Sequence, residues 1–400
     1  MGFLVDLACF LVVPLLCWRL VRGAVPMAVL PILAGLSVAI AADRFGFDKA
    51  LLGPSPLGET IGWCGVLALA FSAGLETRTA SVHLPRLGGQ AVASALVALA
   101  LPFAVGFLIA LSGALDPVLA RPEGVSSLLS AGAIGLCLAV SALPVLVGIV
   151  RELPAKDRPL GNLSLRIAAL DDAILWAGLA LLLFIHNDDS GGLATGGWTI
   201  LAACGVLALM PTLRGRIDRL LPGHIAPSVL IGLAYLAAGS WATSALGLHE
   251  LLGAYFAGAM VPTRLADRLM PERLGKIALF GLSPLFFAHR GLSIDGAVLT
   301  PVALGAAFTL LLLAGTAKLA AVHLVPPSPG MAARERMRLG LLLQCKGLME
   351  IVAATILLQA GLITPTVFAV LVTLALVSTT LTVPLFRHAS RIARRHRVTA

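Results

Sequence analysis

Two adjacent carboxylic acids, Asp171 and Asp172, lie in the middle of an apolar stretch that covers residues 169–176. Burial of a carboxyl group disfavours its charged form, whereas a nearby cation favours that form. Near neutral pH such a group can therefore hold either a proton or a metal ion, and two adjacent acids titrate as a coupled unit. The pair indicates a site at which protons and cations compete.

The composition places these acids in a lipid bilayer. Of the 400 residues, 58% are hydrophobic and 12% are charged, and the mean hydropathy is +0.97, values that are typical of integral membrane proteins. The apolar runs are continuous rather than alternating, which argues against a membrane β-barrel. A bilayer core of roughly 30 Å needs about 20 apolar residues per helix, and we predict an all-α polytopic fold of about 13 transmembrane helices. The predicted spans are residues 3–22, 24–43, 58–75, 88–113, 126–150, 163–185, 196–211, 227–246, 249–263, 276–292, 299–322, 339–360 and 363–386.

The distribution of basic residues predicts the orientation of these spans. Most of the 29 Lys and Arg residues lie in loops that follow odd-numbered spans, whereas the opposite side carries Arg44, Lys49 and Arg121. Because Lys and Arg favour the cytoplasmic ends of transmembrane helices, we expect the N-terminus outside and the C-terminus inside. This bias accounts for the net charge of +9, so the charge gives little reason to expect a nucleic-acid partner.

Charged residues within a span need a partner, a wet cavity or a route to the interface. Besides the acid pair, Arg166, Arg290, Lys318, Lys346 and Glu350 fall within predicted spans. Arg166 and Arg290 lie near the ends of predicted spans, where a long side chain can extend to place its charge at the membrane interface. Asp171 and Asp172 lie about eleven residues into span six, roughly 17 Å at 1.5 Å per residue, and are too short to reach the interface.

Two predicted spans are interrupted. Pro144 in span five removes a backbone donor, and the sequence from Gln344 to Gly347 interrupts span twelve with polar residues and a glycine. The two spans are an odd number apart, so equivalent elements would cross the membrane in opposite directions, as in transporters built from two inverted repeats. Crossed, discontinuous helices would then meet near the midplane beside the acid pair. Kinks without function are also common in membrane helices, and the acids could instead form a structural pair with a basic residue.

Five short motifs together resemble the monovalent cation:proton antiporter family, in the branch of bacterial sodium/proton and potassium/proton exchangers. They are Gly74-Leu75-Glu76, the segment from Ser141 to Leu146, Asp171-Asp172 with Leu175-Trp176, Pro284-Leu285-Phe286-Phe287 with Gly291-Leu292, and Lys346-Gly347-Leu348 with Glu350. The resemblance covers most of the chain.

The resemblance implies a homodimer in which each protomer has a core ion-binding domain and a dimerisation domain. It also implies that Asp172 alternately binds the cation and protons, while Asp171 pairs with Lys318 in span eleven. Lys318 lies near a predicted cytoplasmic end, so extension towards the interface is the alternative for it. Ser141 replaces the usual threonine of the family motif and keeps a hydroxyl that could coordinate an ion.

The sequence departs from the family pattern at His289 and Arg290, where small or neutral residues are more typical. This places a positive charge near the presumed outer vestibule, where it could deter cations or gate entry. We expect residues 1–388 to form the transmembrane exchanger domain and residues 389–400 a short basic cytoplasmic tail. The potassium-efflux members carry a nucleotide-binding domain that this chain lacks, so regulation by such a ligand within the chain is not expected.

These features predict a secondary antiporter, not an enzyme, in the bacterial inner membrane, with a role in pH homeostasis and with no organic cofactor. Sodium or lithium is the favoured cation, although carboxylates, a hydroxyl and backbone carbonyls suit potassium as well. The Asp171-Asp172 pair, in place of the Asn-Asp of electroneutral relatives, favours electrogenic exchange. A potassium/proton antiporter, and from a different class a gated cation channel or an ion sensor, are the alternatives.

Overall fold

The fold is described from a computed structural model of the chain. The residues it describes are 2–20, 29–46, 55–83, 88–116, 118–143, 146, 149–150, 153–189, 205–206, 209–210, 212, 216, 225–246, 248–292 and 300–398. Within these ranges the regular structure is helical, which confirms the all-α prediction.

The first half of the chain begins with α1 (Gly2–Leu20), which contains a π-helical turn at Ala8–Val12. It continues with α2 (Val29–Phe45), α3 (Pro56–His83), α4 (Gly89–Ser112), α5 (Ser127–Ala139) and α6 (Arg158–Asp189). A short 3₁₀ turn at Ala155–Asp157 precedes α6.

The second half contains α7 (Ile225–Ala245), α8 (Glu250–Met260), α9 (Thr263–Leu269) and α10 (Pro271–Ile277). Helix α10 continues through a π-helical turn at Ala278–Leu282 into α11 (Ser283–Leu292). The remaining helices are α12 (Pro301–Leu324), α13 (Ala333–Leu343), α14 (Leu348–Gln359) and α15 (Pro365–Val398).

Seven helices in the described residues are long and apolar enough to cross a membrane, and they confirm a multi-pass membrane protein. They are Gly2–Leu20, Pro56–Thr79, Gly89–Ser112, Arg158–His186, Ser228–Ala245, Pro301–Leu324 and Pro365–Ser390. Shorter apolar helices cover Leu30–Ala42, Ser127–Ala139 and Met349–Gln359. Most of predicted span seven, residues 196–211, lies outside the described residues, so the count of 13 and the inverted repeats stay predictions.

Several helices extend beyond the predicted spans. Helix α13 begins at Ala333, six residues before the predicted start of span twelve, and α15 continues to Val398 instead of ending at residue 386. In both cases the additional residues are rich in arginine, which is a good helix former. Hydropathy alone therefore marks the apolar part of a helix but not where the helix ends.

The chain divides into two compact units. The first contains Met1–Val82 and Asn187–Leu299, and the second contains His83–His186 and Thr300–Ala400. Both predicted helix interruptions and the acid pair belong to the second unit.

Within the second unit, small residues let α4 and α5 pack with their backbones close together. A Cβ atom built on Gly135 would lie 2.8 Å from the carbonyl oxygen of Phe103, and one on Gly106 would lie 3.1 Å from the Cα of Gly135. Such small-residue contacts are the usual means by which membrane helices associate. All side chains from Leu129 to Ala139 are buried, so α5 is enclosed by protein.

We predict that Gly135→Ala lowers the stability of the folded protein by about 1–3 kcal/mol, the usual cost of adding volume to a well-packed contact. The matched control is Gly305→Ala, because a Cβ atom at Gly305 in α12 would meet nothing within 4 Å. Thermal unfolding of the two purified variants in detergent measures the difference. Equal melting temperatures would contradict the close packing of α4 against α5.

Candidate functional site

The backbone is unwound at both predicted interruptions. Helix α5 ends at Ala139, and Val140 is extended, with φ −82° and ψ 151°. Helix α13 ends at Leu343 and α14 begins at Leu348, with Gly347 extended between them. We call residues 140–142 the first break and residues 344–347 the second break. Pro144, the residue that predicted the first break, lies outside the described residues.

The two breaks contact each other. The backbone N–H of Ala142 donates to the carbonyl oxygen of Cys345 at 2.8 Å. The hydroxyl oxygen of Ser141 lies 2.8 Å from the carbonyl oxygen of Leu343. The interruptions that the sequence indicated therefore meet within one unit, as crossed discontinuous helices require.

Two lysine side chains bind the C-terminal end of α5. Lys346 Nζ donates to the carbonyl oxygens of Cys137 and Leu138, each at 3.0 Å, and to that of Val140 at 3.3 Å. Lys318 Nζ donates to the carbonyl oxygen of Ala139 at 2.6 Å. The last carbonyls of a helix have no partner within the helix and carry partial negative charge. The two ammonium groups supply both the missing donors and the opposite charge.

Each ammonium group also faces a carboxylate. Lys318 Nζ lies 3.4 Å from Asp171 Oδ2, and Lys346 Nζ forms a hydrogen-bonded ion pair with Oε1 of Glu350, which lies four residues later in α14. All four residues are at most 5% exposed. A buried ion pair offsets its desolvation cost only when its remaining polar atoms are hydrogen-bonded, and the carbonyls of α5 bind the lysine protons. Lys318 is thus buried within the second unit, and its side chain does not extend to the membrane interface.

Ser141 connects the lysine to the acid. Its hydroxyl oxygen lies 2.5 Å from Lys318 Nζ and 2.8 Å from Asp171 Oδ2, in addition to its contact with Leu343. A hydroxyl has one hydrogen, so it accepts from the ammonium and donates either to Asp171 or to the carbonyl of Leu343.

Hard oxygen atoms surround the Lys318 ammonium. They are the carbonyl of Ala139, the hydroxyl of Ser141 and Asp171 Oδ2. The other oxygen of Asp171, Oδ1, is buried and has no hydrogen-bond partner among the described residues. Carboxylate, hydroxyl and carbonyl oxygens are the ligands that alkali cations prefer. The same atoms that hold the ammonium could therefore hold a cation.

Asp172 follows Asp171 on α6 and is also fully buried. Successive residues of an α-helix point about 100° apart, since each turn takes 3.6 residues, so the two carboxyl groups leave the helix in different directions. Trp176, one turn after Asp172, is fully buried as well. The structure thus brings Ser141, Asp171 and Lys318 together. Asp172 is the residue that follows Asp171 in the sequence.

His289 and Arg290 belong to the first unit, whereas the acid pair belongs to the second. His289 is 6% exposed, and its Nε2 lies 2.8 Å from Asp6 Oδ1. The Arg290 guanidinium lies over the ring of Phe286, 5.0 Å from its centre. A vestibule role for either residue stays a prediction.

Some polar contacts were not predicted. Asp6 binds His289 and also accepts two hydrogen bonds from Ser55. An acid inside an apolar run, the signal that identified Asp171, marks Asp6 as well. Ser378 and Thr379 of α15 donate to carbonyls of the second break. Their signal in the sequence is weak, because hydroxyl residues occur in many membrane helices.

Comparison with known proteins identifies the family of the chain. The family described as "Sodium/hydrogen exchanger, transmembrane" matches residues 7–388. The chain therefore belongs to the transmembrane sodium/hydrogen exchanger family, and the resemblance seen in the motifs is confirmed. The solved structure of the sodium proton antiporter MjNhaP1 from Methanocaldococcus jannaschii has the same fold, with a TM-score of 0.55 over 98% of this chain and 97% of that chain, at 16% identity.

Similar sequences occur in plants, yeast and cyanobacteria. Cation/H(+) antiporter 19 of Arabidopsis thaliana is 27% identical over 84% of this chain and 44% of its own length. K(+)/H(+) antiporter 1 of Saccharomyces cerevisiae is 29% identical over 80% of this chain and 38% of its own. Na(+)/H(+) antiporter NhaS4 of Synechocystis is 27% identical over 80% and 79%. The chain thus spans less than half the length of these plant and yeast relatives.

We predict strong coupling between Lys346 and Glu350. Removal of either partner by Lys346→Met or Glu350→Gln leaves a buried charge without its counterion and costs about 3–5 kcal/mol. The double variant removes both charges and should lose much less than the sum of the two single losses. Unfolding free energies of the three variants in detergent, combined in a double-mutant cycle, measure the coupling. Additive losses would show that the two side chains do not stabilise each other.

Proposed function

We propose that the protein exchanges protons for a monovalent cation across the membrane, with sodium or lithium as the favoured cation and Asp172 as the shared binding residue. One observation carries this proposal. The oxygen atoms that could coordinate a cation at Asp171 and Ser141 are in contact with the ammonium of Lys318, beside a second, fully buried acid. The positive species at this cluster is a side chain, which a free cation could replace.

Desolvation couples the two fluxes in this mechanism. A carboxylate in a low-dielectric environment without a bound positive species is costly. The proton-loaded and cation-loaded forms of Asp172 carry no such uncompensated charge, whereas the empty form does. Alternating access therefore proceeds with one cargo or the other, and each cycle exchanges them.

Asp171 and Lys318 determine how much net charge crosses the membrane in each transport cycle. When a cation binds, it competes with the Lys318 ammonium for Asp171 Oδ2 and for the hydroxyl of Ser141. A proton released from Lys318, in addition to that from Asp172, makes the exchange electrogenic. Movement of one net charge draws about 2.3 kcal/mol per 100 mV of membrane potential, so an inside-negative potential drives cation export.

The roles of the two units, the homodimer and the membrane location are part of the same proposal. The second unit, which contains the whole Lys318 cluster, is the ion-binding core, and the first unit is the dimerisation domain of a homodimer. The membrane is the bacterial inner membrane, with the N-terminus outside and residues 389–400 in the cytoplasm, and the exchange serves pH homeostasis. Cation and protons are the cargo, and the mechanism uses no organic cofactor.

Potassium/proton exchange is the second candidate. It is favoured by the similarity to the yeast protein named K(+)/H(+) antiporter 1, while the similarity to NhaS4, named a Na(+)/H(+) antiporter, favours sodium. Oxygen ligands of this kind accept either cation. The size of the ligand cluster after the ammonium leaves decides between the two ions.

We predict that Asp172→Asn abolishes exchange while the protein stays folded, because an amide releases no proton to the cation. Wild type and variant are reconstituted into liposomes with a pH-sensitive dye, and Na⁺, Li⁺ and K⁺ gradients are imposed in turn. Asp116→Asn, an exposed acid after α4, is the control and should exchange normally. Near-normal exchange by Asp172→Asn would refute the assignment of the site. Ion currents without proton movement would indicate a channel instead, and cation binding without flux a sensor.

We also predict that wild-type exchange accelerates when the liposome potential is clamped to drive net charge in the transport direction. Asp171→Asn and Lys318→Ala should keep measurable exchange but change its stoichiometry or its pH dependence, since they alter the group that carries the additional proton. Rates at a series of clamped potentials measure the effect. Wild-type transport that is indifferent to the imposed potential would remove the electrogenic part of the proposal.

A further inference from the structure

The carbonyl groups at the two breaks have different kinds of hydrogen-bond donor. The carbonyls of residues 137–140, at the end of α5, accept from the ammonium groups of Lys318 and Lys346. Those of residues 343–347 lie against neutral donors. These are the hydroxyl of Ser141, which can donate to Leu343 or to Asp171, the hydroxyls of Ser378 and Thr379, the N–H groups of Ala142 and Ile351, and the thiol of Cys345.

This difference decides which carbonyls a cation can use. A cation can take the place of a lysine ammonium on a carbonyl oxygen without a change in local charge when the lysine releases a proton, as proposed for Lys318. A neutral O–H or N–H that is displaced by a cation stays in place as a buried donor without an acceptor, which costs free energy. The carbonyl of Ala139 at the end of α5, which Lys318 binds, can therefore exchange its donor for a cation, and the second break cannot do so at comparable cost.

The two hydroxyls from α15 hold the second break in this arrangement. Ser378 and Thr379 are 3% and 6% exposed. Ser378 donates to the carbonyl of Gln344 and Thr379 to that of Lys346. The alternative acceptor of the Thr379 hydroxyl is the carbonyl of Ala375 in its own helix, at 2.7 Å. The Thr379 hydroxyl lies within hydrogen-bond distance of both carbonyls, and its contact with Lys346 links α15 to the second break.

Lys346 transmits this anchoring to the other break. Thr379 fixes the main chain of Lys346, and the side chain of Lys346 binds the carbonyls of Cys137, Leu138 and Val140. A shift of the Lys346 backbone would therefore move the ammonium group that holds the end of α5, next to the Ala139 carbonyl that Lys318 binds.

We propose that Ser378 and Thr379 are positioning residues of the cation site. They hold the second break closed with neutral hydrogen bonds, so that the backbone ligands of the transported cation come from the end of α5. This inference rests on the proposed function, because it assigns ligands to the cation that the protein exchanges.

The test compares three threonine variants in the proteoliposome assay. Thr379→Val removes the hydroxyl and keeps the shape of the side chain, and Thr379→Ser restores a hydroxyl. The control is Thr380→Val, since Thr380 is exposed and its hydroxyl bonds only the carbonyl of Leu376 in its own helix among the described residues. Thr379→Val should raise the KM for the cation about fivefold, the factor that corresponds to one lost hydrogen bond of about 1 kcal/mol. Its kcat should change less, and Thr379→Ser and Thr380→Val should keep the wild-type KM.

A KM for Thr379→Val equal to that of Thr380→Val would overturn the inference, as would a failure of Thr379→Ser to restore the KM. If Thr379→Val does not yield folded protein, Ser378→Ala decides, because it removes a single hydroxyl bond to the same break and should raise KM in the same way. An unchanged KM in Ser378→Ala would then overturn the inference.

A second readout does not depend on transport. Cys345 lies in the second break and is fully buried. Its rate of alkylation in purified protein, measured on the peptide by mass spectrometry, should rise in Thr379→Val and stay at the wild-type level in Thr380→Val. Equal rates would overturn the anchoring role. If the wild-type protein exchanges no cation but the two variants still differ in their alkylation rates, the proposed function is refuted and the anchoring role is supported.

Discussion

Helix α5 ends inside the protein, and the carbonyl groups at its end must be satisfied without water. In a bilayer an unsatisfied carbonyl costs several kcal/mol, and here the carbonyls of residues 137–140 bind two lysine ammonium groups. The lysines would be equally costly without counterions, and Asp171 and Glu350 provide these. The break, the lysines and the acids are therefore one electrostatic unit, and the removal of any member leaves another without its partner.

The two lysines differ in how firmly they are held. Lys346, in the second break, binds three carbonyls and the carboxylate of Glu350 in the first turn of α14. Lys318 binds one carbonyl, and its other two contacts are the Ser141 hydroxyl and Asp171 Oδ2. The second oxygen of Asp171 has no hydrogen-bond partner among the described residues. In the proposed mechanism the Lys346 pair is therefore structural and the Lys318 pair is exchangeable. The proposed transport mechanism uses only the second.

Much of this site could be predicted from the sequence because charged, proline and glycine residues are conspicuous in apolar runs. Asp171, Asp172, Lys318, Lys346 and Glu350 were identified in this way, and both breaks fell where the polar interruptions indicated. The capping of α5 could not be predicted, since its acceptors are backbone carbonyls, which every residue has. Thr379 was missed because a threonine in a membrane helix ordinarily bonds its own helix, as Thr380 does. Asp6 carries the same signal as Asp171, but its contact with His289 could not be predicted, because the two residues are 283 positions apart in the sequence.

The central claim is that a free cation displaces protons from the buried residues Asp172 and Lys318. Titration of purified protein in weakly buffered detergent solution, with the pH of the solution recorded as Na⁺, Li⁺ or K⁺ is added, measures this displacement without any transport step. The account predicts proton release in proportion to the cation bound, and its loss in Asp172→Asn. Cation binding without proton release from the wild-type protein would contradict it.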